Sequence, residues 1–174
     1  MVKYNHRTIP KENNFAYIDG QNLNLGVRSM GWILDMRRFK IYLKEKYDVS
    51  KTYIFIGFVA ENQRMYNAFQ EYGYTLVFKP VIDDKEPKGN IDADLVLRAM
   101  IDFHESKFDK AVILTSDGDF YSLVDYFYSK EKLKNVISPC SKTCSSLLKK
   151  TAKEKLMFLD NLKEKLEYKR KSTA

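Results

Sequence analysis

The chain has 174 residues, 44% of them hydrophobic and 14% aromatic, which suits one domain with a sizeable core. Its formal net charge of +7 favours a polyanionic partner, though basic balance alone is a weak signal. No apolar run approaches the roughly 20 residues that span a bilayer, and "MVKYNHRTIPKENN" has no apolar signal core, so a cytoplasmic chain with no membrane partner is expected.

In chain order, residues 1–13 read as an N-terminal extension and "NFAYID" (14–19) as a short apolar strand. "LDMRRFKIYLKEKY" (34–47) has helical spacing through Met36, Phe39, Tyr42 and Leu43, with Asp35 placed to cap it. "TYIFIGFVA" (52–60) is a strand, "ENQRMYNAFQEYG" (61–73) a helix stopped by Gly73, and "YTLVFKPVI" (74–82) a strand. "DDKEPKGN" (83–90) is a loop and "IDADLVLRAMIDFHES" (91–106) a helix. "KAVILTS" (110–116) and "KNVISP" (134–139) are strands, followed by helices over 119–130 and 141–152. Cys140 and Cys144, the two cysteines, read as free thiols of a reducing compartment; alone they make a poor zinc site. Residues 153–174 begin apolar and end as a charged helix, and read as a C-terminal helical extension to a domain over 14–152.

Strand and helix alternate, and the strands are apolar on both faces, as parallel strands covered by helices are. The class is therefore α/β, with a doubly wound sheet of about five strands. In such a sheet, ligands bind outside the carboxyl ends of the strands, near the switch point. At that edge the sequence repeats one event. Strand one ends in Asp19, the helix after the 83–90 loop opens with Asp92 and Asp94, and the fourth strand runs into Asp117 and Asp119. An Asp-Gly turn or an Asp helix cap explains each acid singly. Together on one rim they repel, and a hard divalent cation with oxygen ligands, Mg²⁺ or Mn²⁺, is the natural counter-ion. Asp92 and Asp94 lie about 200° apart around an ideal helix, so both face one ion only if Asp92 occupies the non-helical cap.

"FAYIDGQNLNLG", "KGNIDADLVLRAM" and "VILTSDGDFYSLV", in this order and spacing, resemble the NYN domain of the PIN-like nuclease superfamily, in its LabA/DUF88-like branch. The resemblance runs from about residue 14 to 150. It implies a PIN-like three-layer α/β/α sandwich with a mainly parallel sheet, and metal-dependent hydrolysis of RNA phosphodiesters. Carried over, its acidic cluster falls on Asp19, Asp92 and Asp117, with Asp119 and Asp94 beside them, and its amide on Asn22. Asp19, Asp92 and Asp117 are then expected to hold Mg²⁺ or Mn²⁺. Asp119 is expected to hold a second ion or to act as base toward the attacking water, and Asn22 to orient water or phosphate, with helix capping its plainer role. Ser116, Lys88 and Arg28 are expected at the substrate phosphates.

RNA is the expected partner, single-stranded by the pairing of basic and aromatic side chains, with DNA left open. Lys79, Lys85 and Lys88 supply charge beside the site, as do Lys142, Lys149, Lys150 and Lys153 of the last domain helix. Trp32 and Tyr121 are candidate stacking residues, with core packing the plainer reading of each. PIN-like proteins often dimerise, so a homodimer is one expected assembly. The alternative to an enzyme is an RNA-binding or regulatory domain that keeps the acidic site without turnover. A haloacid-dehalogenase-like phosphatase wants Asp-x-Asp after strand one, where Gln21 stands, and no dinucleotide or phosphate-loop glycine motif is present.

Overall fold

The computed structural model of the protein describes residues 11–79 and 90–169. Six strands form one sheet: β1 (Asn14–Asp19), β2 (Val49–Ile56), β3 (Tyr74–Phe78), β4 (Ala111–Leu114), β5 (Leu133–Ser138) and β6 (Leu156–Phe158). Their order is β3-β2-β1-β4-β5-β6, and every neighbouring pair is parallel. The helices are α1 (Gly20–Ser29), α2 (Met36–Tyr47), α3 (Gln63–Glu71), α4 (Ile91–His104), α5 (Tyr121–Ser129), α6 (Ser146–Ala152) and α7 (Lys163–Leu166).

All six residues of β1 are buried. Side chains alternate between the faces of a strand, so Tyr17 joins Phe55, Leu95 and Phe127 in one core while Ile18 joins Leu23, Phe39 and Ile54 in the other. The first core lies under α4, α5 and α6, and the second under α1, α2 and α7. The result is the three-layer α/β/α sandwich expected from the resemblance. Chain order reverses between β1 and β4, and the crevice at their carboxyl ends is the switch point of the sheet.

Two segments fold otherwise than the sequence pattern suggests. "GQNLNLGVRS" (20–29) is a helix that starts directly at Asp19, although its Gly- and Asn-rich composition reads as a loop. Its buried stripe is Leu23, Gly26 and Val27, and Gly26 is required there because a Cβ would stand 2.5 Å from Pro139 Cβ. The second is "LMF" (156–158), which pairs with β5 as a sixth strand within the segment read as a helical extension. Leu159 and Leu166 beyond it are fully buried, and Leu166 O accepts the N–H of Asp35 at 2.8 Å. Three residues are too few to show a strand period. Residues 80–89, covering most of the expected loop with Lys85 and Lys88, lie outside the described residues. Among the described residues, no helix is long and apolar enough to cross a membrane.

Candidate functional site

Asp19 is both the last residue of β1 and the N-cap of α1. Its Oδ1 accepts the backbone N–H of Asn22 at 3.0 Å, and its Oδ2 accepts the Thr115 hydroxyl at 3.3 Å. The carboxylate is only 8% exposed. Gly20 follows because α1 begins hard against β2: a Cβ there would lie 2.9 Å from Phe55 O.

The chain leaving β4 supplies the facing wall. Thr115 Oγ1 accepts the N–H of Asp117 at 3.1 Å, so one buried hydroxyl links Asp19 to the Asp117 backbone. The N–H of Ser116 donates to Asn22 Oδ1 at 2.8 Å. Ser116 itself is buried, with its hydroxyl 3.1 Å from that of Ser138, so the expected phosphate donor is packed behind the rim. Asp117 Oδ1 accepts the N–H of Asp119 at 3.0 Å and caps a single 3₁₀ turn over Gly118–Phe120. A Cβ on Gly118 would meet Ser145 Oγ at 2.5 Å, so the turn has room only for glycine unless Ser145 shifts.

The third element is the start of α4. Asn90, not Asp92, is its N-cap, with Oδ1 accepting the Asp92 N–H at 2.9 Å. Asp92 is thus a first-turn residue, where a negative charge suits the helix dipole. Burial raises its pKa above the ordinary aspartate range, Asp117 and Asp119 raise it further, and Lys79 opposes them. Burial likewise raises the pKa of Asp19; Asp92 and Asp117 add to the rise, while hydrogen bonds from Asn22 and Thr115 oppose it. Four carboxylates from three elements therefore share one electrostatic field at the carboxyl edge of the sheet. Asp94 is not among them: with Asp92 already helical, a residue two further on points about 200° away.

Among the described residues, none of these four acids forms an ion pair. Nor, among those residues, do three acidic, histidine or cysteine side chains converge tightly enough for a ready-made metal cluster. The donor set is oxygen only, and a buried carboxylate repelled by its neighbours is at its centre. That suits a hard cation that keeps several waters and takes one or two carboxylates; it does not suit zinc.

The remaining expectations separate. Arg28 sits in the last turn of α1, and eight residues of helix, about 12 Å, carry it away from the rim; its Nε donates to Asn24 Oδ1 at 3.1 Å. The shift follows from 20–29 being helix throughout. Lys88 lies outside the described residues. Trp32 is a core residue, only 4% exposed, whereas Tyr121 is exposed at the start of α5. Lys142, Lys149, Lys150 and Lys153 are all exposed along α6 and its flanks. Thr115, which holds Asp19 and Asp117 together, escapes a sequence reading because a β-branched residue ending an apolar run reads as strand.

Comparison with known proteins places the geometry in a family. The chain resembles the solved structure of a protein of unknown function from Vibrio parahaemolyticus, with a TM-score of 0.73 and 19% identity, covering 96% of this chain and 100% of that one. At that identity the likeness establishes the fold alone. No curated protein matches the chain. The NYN domain family matches residues 16–159, a span that runs from within β1 through β6 and holds every acid of the rim. The chain belongs to the NYN domain family, of the PIN-like nuclease superfamily.

Proposed function

We propose that the protein is an Mg²⁺- or Mn²⁺-dependent ribonuclease that hydrolyses RNA phosphodiesters at the rim formed by Asp19, Asp92, Asp117 and Asp119, and that it belongs to the LabA/DUF88-like branch. The observation that carries this reading is that the end of β1, the start of α4 and the exit of β4 bring Asp19, Asp92 and Asp117 to the carboxyl edge of one sheet with no ion-pair partner among the described residues. Unpaired charge at a buried rim is unfavourable as a structural device, and perturbed carboxylates in a crevice mark sites of chemistry. Asp19, Asp92 and Asp117 hold the cation through their oxygens. When bound, such an ion supplies charge stabilisation to a phosphoryl transition state and lowers the pKa of a water. Asp119 is exposed and its carboxylate is free to accept a proton from the attacking water. Asn22 holds the α1 start against the β4 exit, which keeps Asp19 and Asp117 at a fixed separation.

The deciding measurement is cleavage of a mixed single-stranded RNA pool by purified protein. Activity is expected to require Mg²⁺ or Mn²⁺, to vanish with EDTA, and to fall at least about a hundredfold in Asp19→Asn and in Asp117→Asn. Metal-free RNA affinity is expected to hold or rise in both variants, because a negative charge facing phosphate has gone. The second reading is a non-catalytic RNA-binding or regulatory domain that keeps the acidic site. RNA binding with no cleavage under any divalent metal would select it. The free, buried Cys140 and Cys144 are in keeping with a cytoplasmic setting.

A further inference from the structure

We propose that Phe58 is a stacking platform for a base of an unpaired nucleic-acid strand whose phosphate lies at the acidic rim, a proposal that rests on the nuclease reading above. Phe58 follows β2 and is 45% exposed, the one phenylalanine so exposed among the described residues. Its loop is not slack. The Tyr66 hydroxyl accepts the N–H of Val59 at 2.9 Å and lies 3.2 Å from Gly57 O, so one group ties both neighbours of Phe58. The ring is stacked on Tyr66 (5.8 Å, 28°) and meets Phe78 edge-on (5.5 Å, 89°). The ring is thus held by two aromatic neighbours and still nearly half exposed. A pre-ordered aromatic surface binds with little entropy left to lose.

Position supports a role at the rim. β2 lies beside β1 at about 5 Å, Asp19 pairs in register with Phe55, and Phe58 is three residues further along the same exit. Lys79, directly after Phe78, is close enough to Asp92 for its charge to be felt there. On the other flank Tyr121, also exposed, follows Asp119 by two residues. The strand exits that carry Asp19 and Asp117 are thus followed closely in sequence or register by two exposed aromatic residues.

The chemistry explains why such a ring is needed. Four carboxylates repel the phosphate they are to act on, so a strand needs an attraction that does not depend on charge. Base stacking on an aromatic ring is such an attraction, and it is tolerant of sequence. Bases in a duplex are already stacked and closed off, so the platform selects an unpaired strand.

The test uses the full chain with Phe58→Trp. Trp32, the only native tryptophan, is buried and gives a constant background. In EDTA, a mixed-sequence single-stranded oligoribonucleotide is expected to quench the new emission, saturating at the affinity read from anisotropy of the labelled strand. The same sequence as a duplex is expected not to quench, and Phe58→Ala should weaken single-strand binding roughly tenfold. A deoxy strand that quenches equally assigns the platform to the base alone; quenching by RNA only assigns it to ribose-bearing strands. Bound RNA without any change in emission overturns the platform and leaves the nuclease reading standing. Absence of single-strand binding by wild type overturns the platform as well. Quenching without cleavage in Mg²⁺ or Mn²⁺ keeps the platform and removes the nuclease.

Discussion

Asn22 and Ser116 are 94 residues apart in sequence, yet the Asn22 side-chain oxygen accepts the Ser116 backbone N–H at 2.8 Å. The bond joins the first turn of α1 to the chain leaving β4, and the two carboxylates it spaces, Asp19 and Asp117, belong to those same two segments. Asn22→Ala is expected to cost about 1 kcal/mol of stability, read as a melting temperature lower by two to four degrees. Cleavage should fall at least about tenfold, out of proportion to that loss. Asn22→Asp keeps an acceptor for Ser116 and should recover stability above pH 7 less well than it recovers the bond, because it adds a carboxylate to a crowded rim. Equal melting temperature and equal cleavage in the Ala variant would remove Asn22 from the site.

Burial raises the folded-state pKa of Asp19 above the ordinary value of 3.8. A carboxyl shifted upward leaves the fold most stable while it is protonated, below its unfolded pKa. That contribution is lost as pH rises from the ordinary value through the raised one. Asp19→Asn imitates the protonated form. In EDTA its melting temperature is expected to exceed wild type at pH 7 and to converge with it below pH 3.8. Adding Mn²⁺ at pH 7 should raise the wild-type melting temperature and leave the variant unmoved. A variant less stable than wild type at pH 7 would assign Asp19 to helix capping alone.

At the opposite edge of the sheet the sign is reversed. Glu12 accepts hydrogen bonds from Asn14 at 2.9 Å, Lys134 at 2.6 Å and Lys110 at 2.9 Å. With Asn14 leading and the two lysines following, they lower its pKa to about 2. A depressed carboxyl stabilises the fold above its unfolded pKa, and the contribution fades as pH falls from about 4.5 to about 2. The cluster is partly solvated, so Glu12→Gln is expected to cost about 1 kcal/mol at pH 7, two to four degrees in melting temperature. The difference should vanish near pH 2. An unchanged melting temperature at pH 7 would show the clamp to be decorative.

Asp102 presents a sharper case, a fully buried carboxylate in α4. The Tyr17 hydroxyl donates to its Oδ2 at 3.0 Å, while Oδ1 has no hydrogen bond among the described residues and faces Arg98 at 3.6 Å and Lys107 at 3.5 Å. Removing both cations leaves a buried charge uncompensated. Arg98→Ala with Lys107→Ala is expected to lose about 3–5 kcal/mol by urea denaturation. Adding Asp102→Asn to that pair should return part of the loss, which simple loss of packing would not allow.

The class of fold was legible because β1, β2 and β4 are apolar on both faces, and Asp35 and Gly73 mark a helix start and stop where they fall. α1 was hidden because its helicity comes from the Asp19 cap and a tertiary stripe, not from the propensity of Gly and Asn. β6 was hidden because it is short and takes its order from β5. Of the rim, Asp19, Asp92, Asp117 and Asp119 could be read from strand ends and a helix start. Arg28 is carried from the rim because 20–29 is helix from its first residue, and Asp94 turns from it because Asn90 rather than Asp92 caps α4, which begins at Ile91 as its pattern suggests. Thr115 and Phe58 carry no motif, and only the fold places them.

The strand order has a consequence for the newly made chain. β1, β2 and β3 form one contiguous half of the sheet and β4, β5 and β6 the other, and the rim straddles the seam between them. Asp19 emerges early in synthesis, but the residues facing it, from Thr115 to Asp119, do so only after both α3 and α4. A nascent chain therefore carries half a rim until β4 docks on β1. A fragment ending before β4 lacks Asp117 and Asp119 however well it folds.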